Sequence, residues 1–141
     1  VSPTLEREAS AAEIAEILEN YRVVAVVGLS HKPDRPSYRV AQYLQEHGYR
    51  IIPVNPRCQE ILGEKCYPTL KDIPFPVEIV DIFRKVDLIP EIVDAAIAVG
   101  AKVVWMQQGL EEPHSARKAK QAGLRVVMDR CMKIEHGQRQ L

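Results

Sequence analysis

Five short, largely apolar runs recur along this chain, at 23–27, 50–54, 78–83, 103–106 and 125–128, and their recurrence restricts the fold more than any other feature. Val23, Val24, Ala25, Val26 and Val27 leave no polar face, so a strand built from them has to be covered on both sides. Amphipathic stretches separate the runs. Helical spacing is read at 11–18, 36–48, 88–99 and 113–122. Ser10 stands as N-cap with Glu13 at its capping-box position, Pro36 as a first helical residue, and Gly48, Gly100 and Gly123 as stops. A helix followed by strand and helix in alternation predicts an α/β fold: a doubly wound, five-stranded parallel sheet with right-handed crossovers, in three α/β/α layers. The stretch 55–76 holds Pro56, Pro68, Pro74 and Pro76 and is expected to be extended, with one helical turn near 70–73. No repeat, low-complexity segment or linker divides the chain. Residues 1–141 therefore read as a single domain, an N-terminal helix at about 10–19 followed by a core at about 22–132.

Charge narrows the partners. Nineteen Lys and Arg balance nineteen Asp and Glu, so the chain lacks the summed attraction that non-specific binding to nucleic acid or anionic membranes needs. The apolar stretch 23–29 is far shorter than the roughly 20 residues that span a bilayer. The first twenty residues carry acids rather than an apolar signal core, and a cytoplasmic location is expected. Cys58, Cys66 and Cys131 suit reduced thiols in a reducing compartment. None of them has a second Cys or His at a metal-ligand spacing, so no metal site is expected.

In an open α/β sheet ligands bind beyond the carboxyl ends of the strands. The residues standing there include Gly28, Leu29, Ser30, His31, Lys32 and Arg35 after the first strand, and Asn55, Pro56 and Arg57 after the second. Arg84 and Lys85 follow the third, Gln107, Gln108 and Gly109 the fourth, and Asp129, Arg130 and Cys131 the fifth. These segments carry six cations, Lys32, Arg35, Arg57, Arg84, Lys85 and Arg130, against two acids, Asp34 and Asp129. A neutral chain thus gathers positive charge at the one edge where a ligand is expected. Pro36, Ser37 and Tyr38 open the next helix, whose unpaired first-turn amides suit phosphate or pyrophosphate. The dinucleotide fingerprint would place further glycines after Gly28, where Leu29, Ser30, His31, Lys32 and Pro33 stand instead. Enzymes that use NAD carry an acid at the end of the second strand. Arg57 there favours a phosphorylated ribose, as in NADP or coenzyme A.

Several segments together resemble a known family. They are Val26, Val27, Gly28, Leu29 and Ser30; Arg35, Pro36, Ser37, Tyr38 and Val40; Tyr49, Pro53, Val54, Asn55 and Pro56; Asp81, Ile82, Phe83 and Arg84. Val104, Trp105, Met106, Gln107, Gln108 and Gly109 extend the match, as do Val127, Met128, Asp129, Arg130 and Cys131 with Glu135 and His136. In order and spacing these resemble the small stand-alone CoA-binding proteins called YccU-like, over nearly the whole chain. The family is similar in fold to the N-terminal domain of the succinyl-CoA synthetase α-subunit. The resemblance implies a Rossmann-like sheet in the order 3-2-1-4-5, with coenzyme A or a short acyl-CoA as ligand. It would bring Gly28, Leu29, Ser30, His31 and Lys32 to the CoA phosphates and Arg57 to the nucleotide. Phe83, Arg84, Gln107 and Gln108 would border the pantetheine. The synthetase's phosphohistidine lies in a second domain with no counterpart here, so synthetase activity is not implied.

The ligand edge offers cations and amides rather than a nucleophile beside a base, paired carboxylates or a metal cluster, and no catalytic residue is expected. His31 is read as a phosphate contact or a solvated loop residue, and Cys131 as a thiol that could form a mixed disulfide with CoA. Asp129 with Arg130 is read as a structural pair, Trp105 as sheet core, and His114 and His136 as surface residues. Two other readings stay open. One is an NADP-dependent oxidoreductase, for which only His31 or Tyr38 could donate a proton. The other is an interaction module whose CoA occupancy regulates a protein partner.

Overall fold

A computed structural model describes residues 8–139. Helix α1 (Ala11–Asn20) starts at Ser10, whose hydroxyl accepts from Glu13 N–H at 3.1 Å. It leads into β1 (Val23–Val27), α2 (Pro36–Glu46) and β2 (Arg50–Val54). Next come a two-residue hairpin, β3 (Glu60–Ile61) with β4 (Glu64–Lys65), and a 3-10 turn, Leu70–Asp72. Strand β5 (Ile79–Ile82) follows, then α3 (Ile89–Ala98), β6 (Val103–Met106), α4 (Pro113–Gln121), β7 (Arg125–Val127) and α5 (Met132–Arg139). Among the described residues no helix is long and apolar enough to cross a membrane.

The five long strands form one parallel sheet in the order β2-β1-β5-β6-β7. This corrects the order 3-2-1-4-5: counted along the chain it is 2-1-3-4-5, because the third strand pairs with the first, Val24 opposite Ile79 and Val27 opposite Ile82. The reason lies at the outer side of β2. Among the described residues only Tyr67 pairs there, its N–H donating to Pro53 O at 3.0 Å and its carbonyl accepting from Asn55 N–H at 2.9 Å. Pro53 has no N–H to offer a longer neighbour, and Pro68 follows Tyr67 directly.

Alternation along the strands divides the core into two layers. Val24, Val26, Ile51, Ile79, Val103, Trp105 and Val127 face Ile14, Ile17 and Leu18 of α1, Val40 and Leu44 of α2, and Met132 of α5. Ala25, Ile52, Val54, Val80, Ile82, Val104 and Met106 face Leu70 of the 3-10 turn, Val93 and Ala96 of α3, and Ala116 and Ala119 of α4. Trp105 is core, as expected; it is fully buried and its Nε1 donates to Arg130 O at 2.7 Å. His136 is not a surface residue. It is 4% exposed, because 132–139 form a helix packed against α2, and Tyr43 Oη lies 2.8 Å from its Nδ1.

Candidate functional site

The helices that follow β1 and β5 lie on opposite faces of the sheet, so a crevice opens where these neighbouring strands end. Gly28 and Arg84 stand at its mouth. A cavity of about 460 Å³ runs inward from them between the Pro-rich connection and α3. Val27, Val54, Pro56, Pro68 and Leu70 form one wall, and Leu88, Ile92 and Ala95 the other. Lys71, Arg84 and Glu91 supply its charged groups.

Gly28 is required by both conformation and space. Its φ is +89°, which L side chains rarely adopt, and a Cβ there would stand 2.5 Å from Phe83 O. The loop beyond it is held by a short network. Gly28 N–H donates to Val54 O at 3.1 Å, Ser30 N–H to Ser37 Oγ at 3.0 Å, and Lys32 N–H to Ser30 Oγ at 3.1 Å. Asn55 ties this loop to the end of β2. Its Nδ2 donates to Leu29 O at 2.9 Å, and its Oδ1 accepts from Arg57 N–H at 2.8 Å. Helix α2 opens on Arg35 with Pro36 in its first turn, and no side chain caps it. An uncapped start has amide hydrogens directed outward beside the cation-bearing loop, a local field that favours an anion.

The strand-end residues take different parts. Gly28, Pro56 and Arg84 line the cavity. Leu29 is fully buried, and Ser37 is buried with its hydroxyl turned to the loop. Lys32, Arg35, Pro36 and Arg57 are exposed beside it, and Tyr38 is half-buried against the α1/α2 layer. His31 sits against Cys58, with Nδ1 3.7 Å from Sγ. Phe83 packs its ring into the layer away from the cavity and contributes its carbonyl to the close approach at Gly28.

Gln107, Gln108 and Gly109 do not join them. Gln107 is buried, its Oε1 accepting from Met132 N–H at 3.3 Å, so it ties the end of β6 to α5. Gly109 N–H donates to Asp129 Oδ1 at 2.7 Å, while Gln108 is exposed. The brace at Asp129 therefore runs to the loop after β6.

The far side of the cavity is formed by residues outside those expected from the sequence. Leu88, Glu91, Ile92 and Ala95 stand at positions i, i+3, i+4 and i+7, the spacing of one helix face, and this was the available signal. Thr69, whose hydroxyl donates to Asp72 Oδ2 at 2.8 Å, fixes the turn that presents Leu70 and Lys71. Asp81, in β5, is fully buried and turned, like Ile79, to the α1/α2 side of the sheet, and among the described residues neither carboxylate oxygen has a hydrogen-bond partner. Burial pushes its carboxyl well above the usual carboxylate range.

Comparison with known proteins bears on this edge. The chain is 43% identical over 127 residues to the uncharacterized protein YneT of Bacillus subtilis, covering 90% of this chain and 94% of that one. It superposes on a hypothetical protein from Pyrococcus horikoshii OT3 with a TM-score of 0.89 and 46% identity, covering 94% of this chain and 95% of that one. A part of it is 34% identical over 92 residues to acetate–CoA ligase [ADP-forming] II of Archaeoglobus fulgidus; the match covers 63% of this chain and only 14% of the ligase. The small relatives match nearly its whole length, whereas the likeness to the ligase spans part of this chain and a small part of the ligase. Residues 22–137, from the residue before β1 into α5, match the model of the CoA binding domain, and the chain belongs to that family.

Proposed function

We propose that the chain binds coenzyme A or a short acyl-CoA, with the nucleotide end of the ligand in the crevice between β1 and β5. The observation that carries this reading is the apolar-walled cavity of about 460 Å³ that opens at Gly28, beside an uncapped helix start and the Arg84 guanidinium. A flat, apolar-faced purine matches walls made of Pro56, Pro68 and Leu70 on one side and Ile92 and Ala95 on the other. The pyrophosphate then meets the loop Gly28–Lys32 and the first turn of α2, in the field of Lys32 and Arg35. Arg57, on the segment braced by Asn55, faces the ribose phosphate. The family membership supports CoA over other phosphorylated nucleotides. The ligase reaction is not part of the proposal, since this chain corresponds to a small fraction of the ligase.

Calorimetric titration of CoA, dephospho-CoA, NADP and NAD tests the assignment. CoA is expected to bind most tightly, and Arg57→Ala to weaken CoA about tenfold while changing dephospho-CoA little. Binding of NADP in preference to CoA overturns the reading. Equal losses for CoA and dephospho-CoA remove Arg57 from the phosphate role.

A further inference from the structure

The segment leaving β2 carries a second chemistry next to the cavity. Cys58 Sγ and His31 Nδ1 stand 3.7 Å apart, on two segments that Asn55 ties together through Leu29 O and Arg57 N–H. The position of the pair therefore follows from a braced backbone as well as from two side-chain rotamers. Cys58 is half-buried and lines a depression with Pro56, Glu60, Lys65, Cys66 and Pro68; Pro56 and Pro68 also form a wall of the cavity. His31 is exposed, so a reagent can approach the pair from solvent. The other thiols have different surroundings. Cys66 is buried, and its thiol is pushed up to about 11 by burial, then by Cys58 and Glu60. Cys131 is half-buried beyond the end of β7, on the far side of the sheet edge.

We propose that Cys58, with His31 as its proton acceptor, is a modification site that exchanges with the disulfide of a small thiol compound and carries a mixed disulfide at the rim of the cavity. In this step the Cys58 proton passes to His31 Nδ1 as Sγ attacks one sulfur of the disulfide. The Cys58–S bond forms while the S–S bond of the reagent breaks. The departing thiolate takes up a proton and leaves as the free thiol. Cys58 is oxidised, the released half of the reagent is reduced, and no other oxidant takes part. The reaction does not depend on what the cavity binds.

Oxidised glutathione is a suitable probe. The reduced full chain is mixed with it at pH 7, quenched with acid at intervals, and followed by intact mass and peptide mapping. One glutathionyl group is expected per chain, first and predominantly on Cys58, and mapping the native sequence requires no variant to fold. His31→Gln is expected to slow the reaction about tenfold at neutral pH, and Cys58→Ser to abolish the early adduct. A first adduct on Cys131 or Cys66 overturns the proposal. A rate unchanged by His31→Gln also overturns it, since the imidazole then has no part in the exchange.

Discussion

The backbone carbonyl oxygen of Phe83 lies 2.5 Å from the point a side chain on Gly28 would occupy. That approach brings the ends of β1 and β5 together at the mouth of the cavity, and it leaves no room for even a methyl group. Gly28→Ala is expected to cost about 2–4 kcal/mol of stability, from the positive φ and from displacement of the Phe83 backbone. A urea denaturation series measures this. An unchanged midpoint would show that the two strand ends separate freely.

Asp81 is opposite Val26 and Trp105 in the sheet, and among the described residues neither of its oxygens has a hydrogen-bond partner. Its folded-state pKa lies above the usual value of 3.8, so the native chain keeps a proton that the unfolded chain gives up as pH rises past about 4. Native stability therefore falls as pH climbs from there toward the folded pKa. Asp81→Val is expected to add about 1–3 kcal/mol at pH 7 and to flatten that slope. Asp81→Asn should flatten the slope with a smaller gain, because a polar group stays buried. Unfolding midpoints at pH 4.5 and 7.5 decide the matter; a loss of stability in Asp81→Val refutes it.

His136 predicts an opposite slope. Burial first, then the nearby charges of His47 and Arg22, hold its imidazole below the ordinary value of 6.5. The unfolded chain takes up the proton first as pH falls below about 6.5, so this group's contribution to stability is complete above that pH and is lost toward acid. The contact of Nδ1 with Tyr43 Oη joins α5 to α2, and α5 should be among the first elements to loosen. Hydrogen exchange of α5 amides at pH 7.5 and 5.5 tests this, with faster exchange expected at the lower pH. In His136→Gln the difference should shrink.

The five strands were legible because their apolar runs need burial on both faces, whichever neighbours provide it. Their order was not, since it depends on what lies beside β2, where Pro53 and Tyr67 decide the pairing through hydrogen bonds that no periodicity records. Helix α5 escaped notice for a different reason. It buries Met132, Glu135 and His136, two of them polar, and so it shows no apolar stripe. At the site, Gly28, Pro56 and Arg84 could be named from position alone because strand ends meet at the crevice. Gln107 stands at an equally suggestive position, yet its side chain turns inward to Met132, a direction fixed by packing. Ile92 and Ala95 belong to a helix that was foreseen, but which of its faces meets the cavity was not.

The bridge at Tyr67 also bears on main-chain pairing between copies of the chain. An exposed strand with a full row of donors and acceptors invites pairing with a strand from another molecule. At β2 that row is broken at Pro53, which has no donor, and Tyr67 already covers the carbonyl beside it. At the other margin β7 is three residues long. Both open sides of the sheet are thus poor templates for edge-to-edge aggregation, and a sheet built so largely of β-branched apolar residues is protected from joining its neighbours by main-chain pairing.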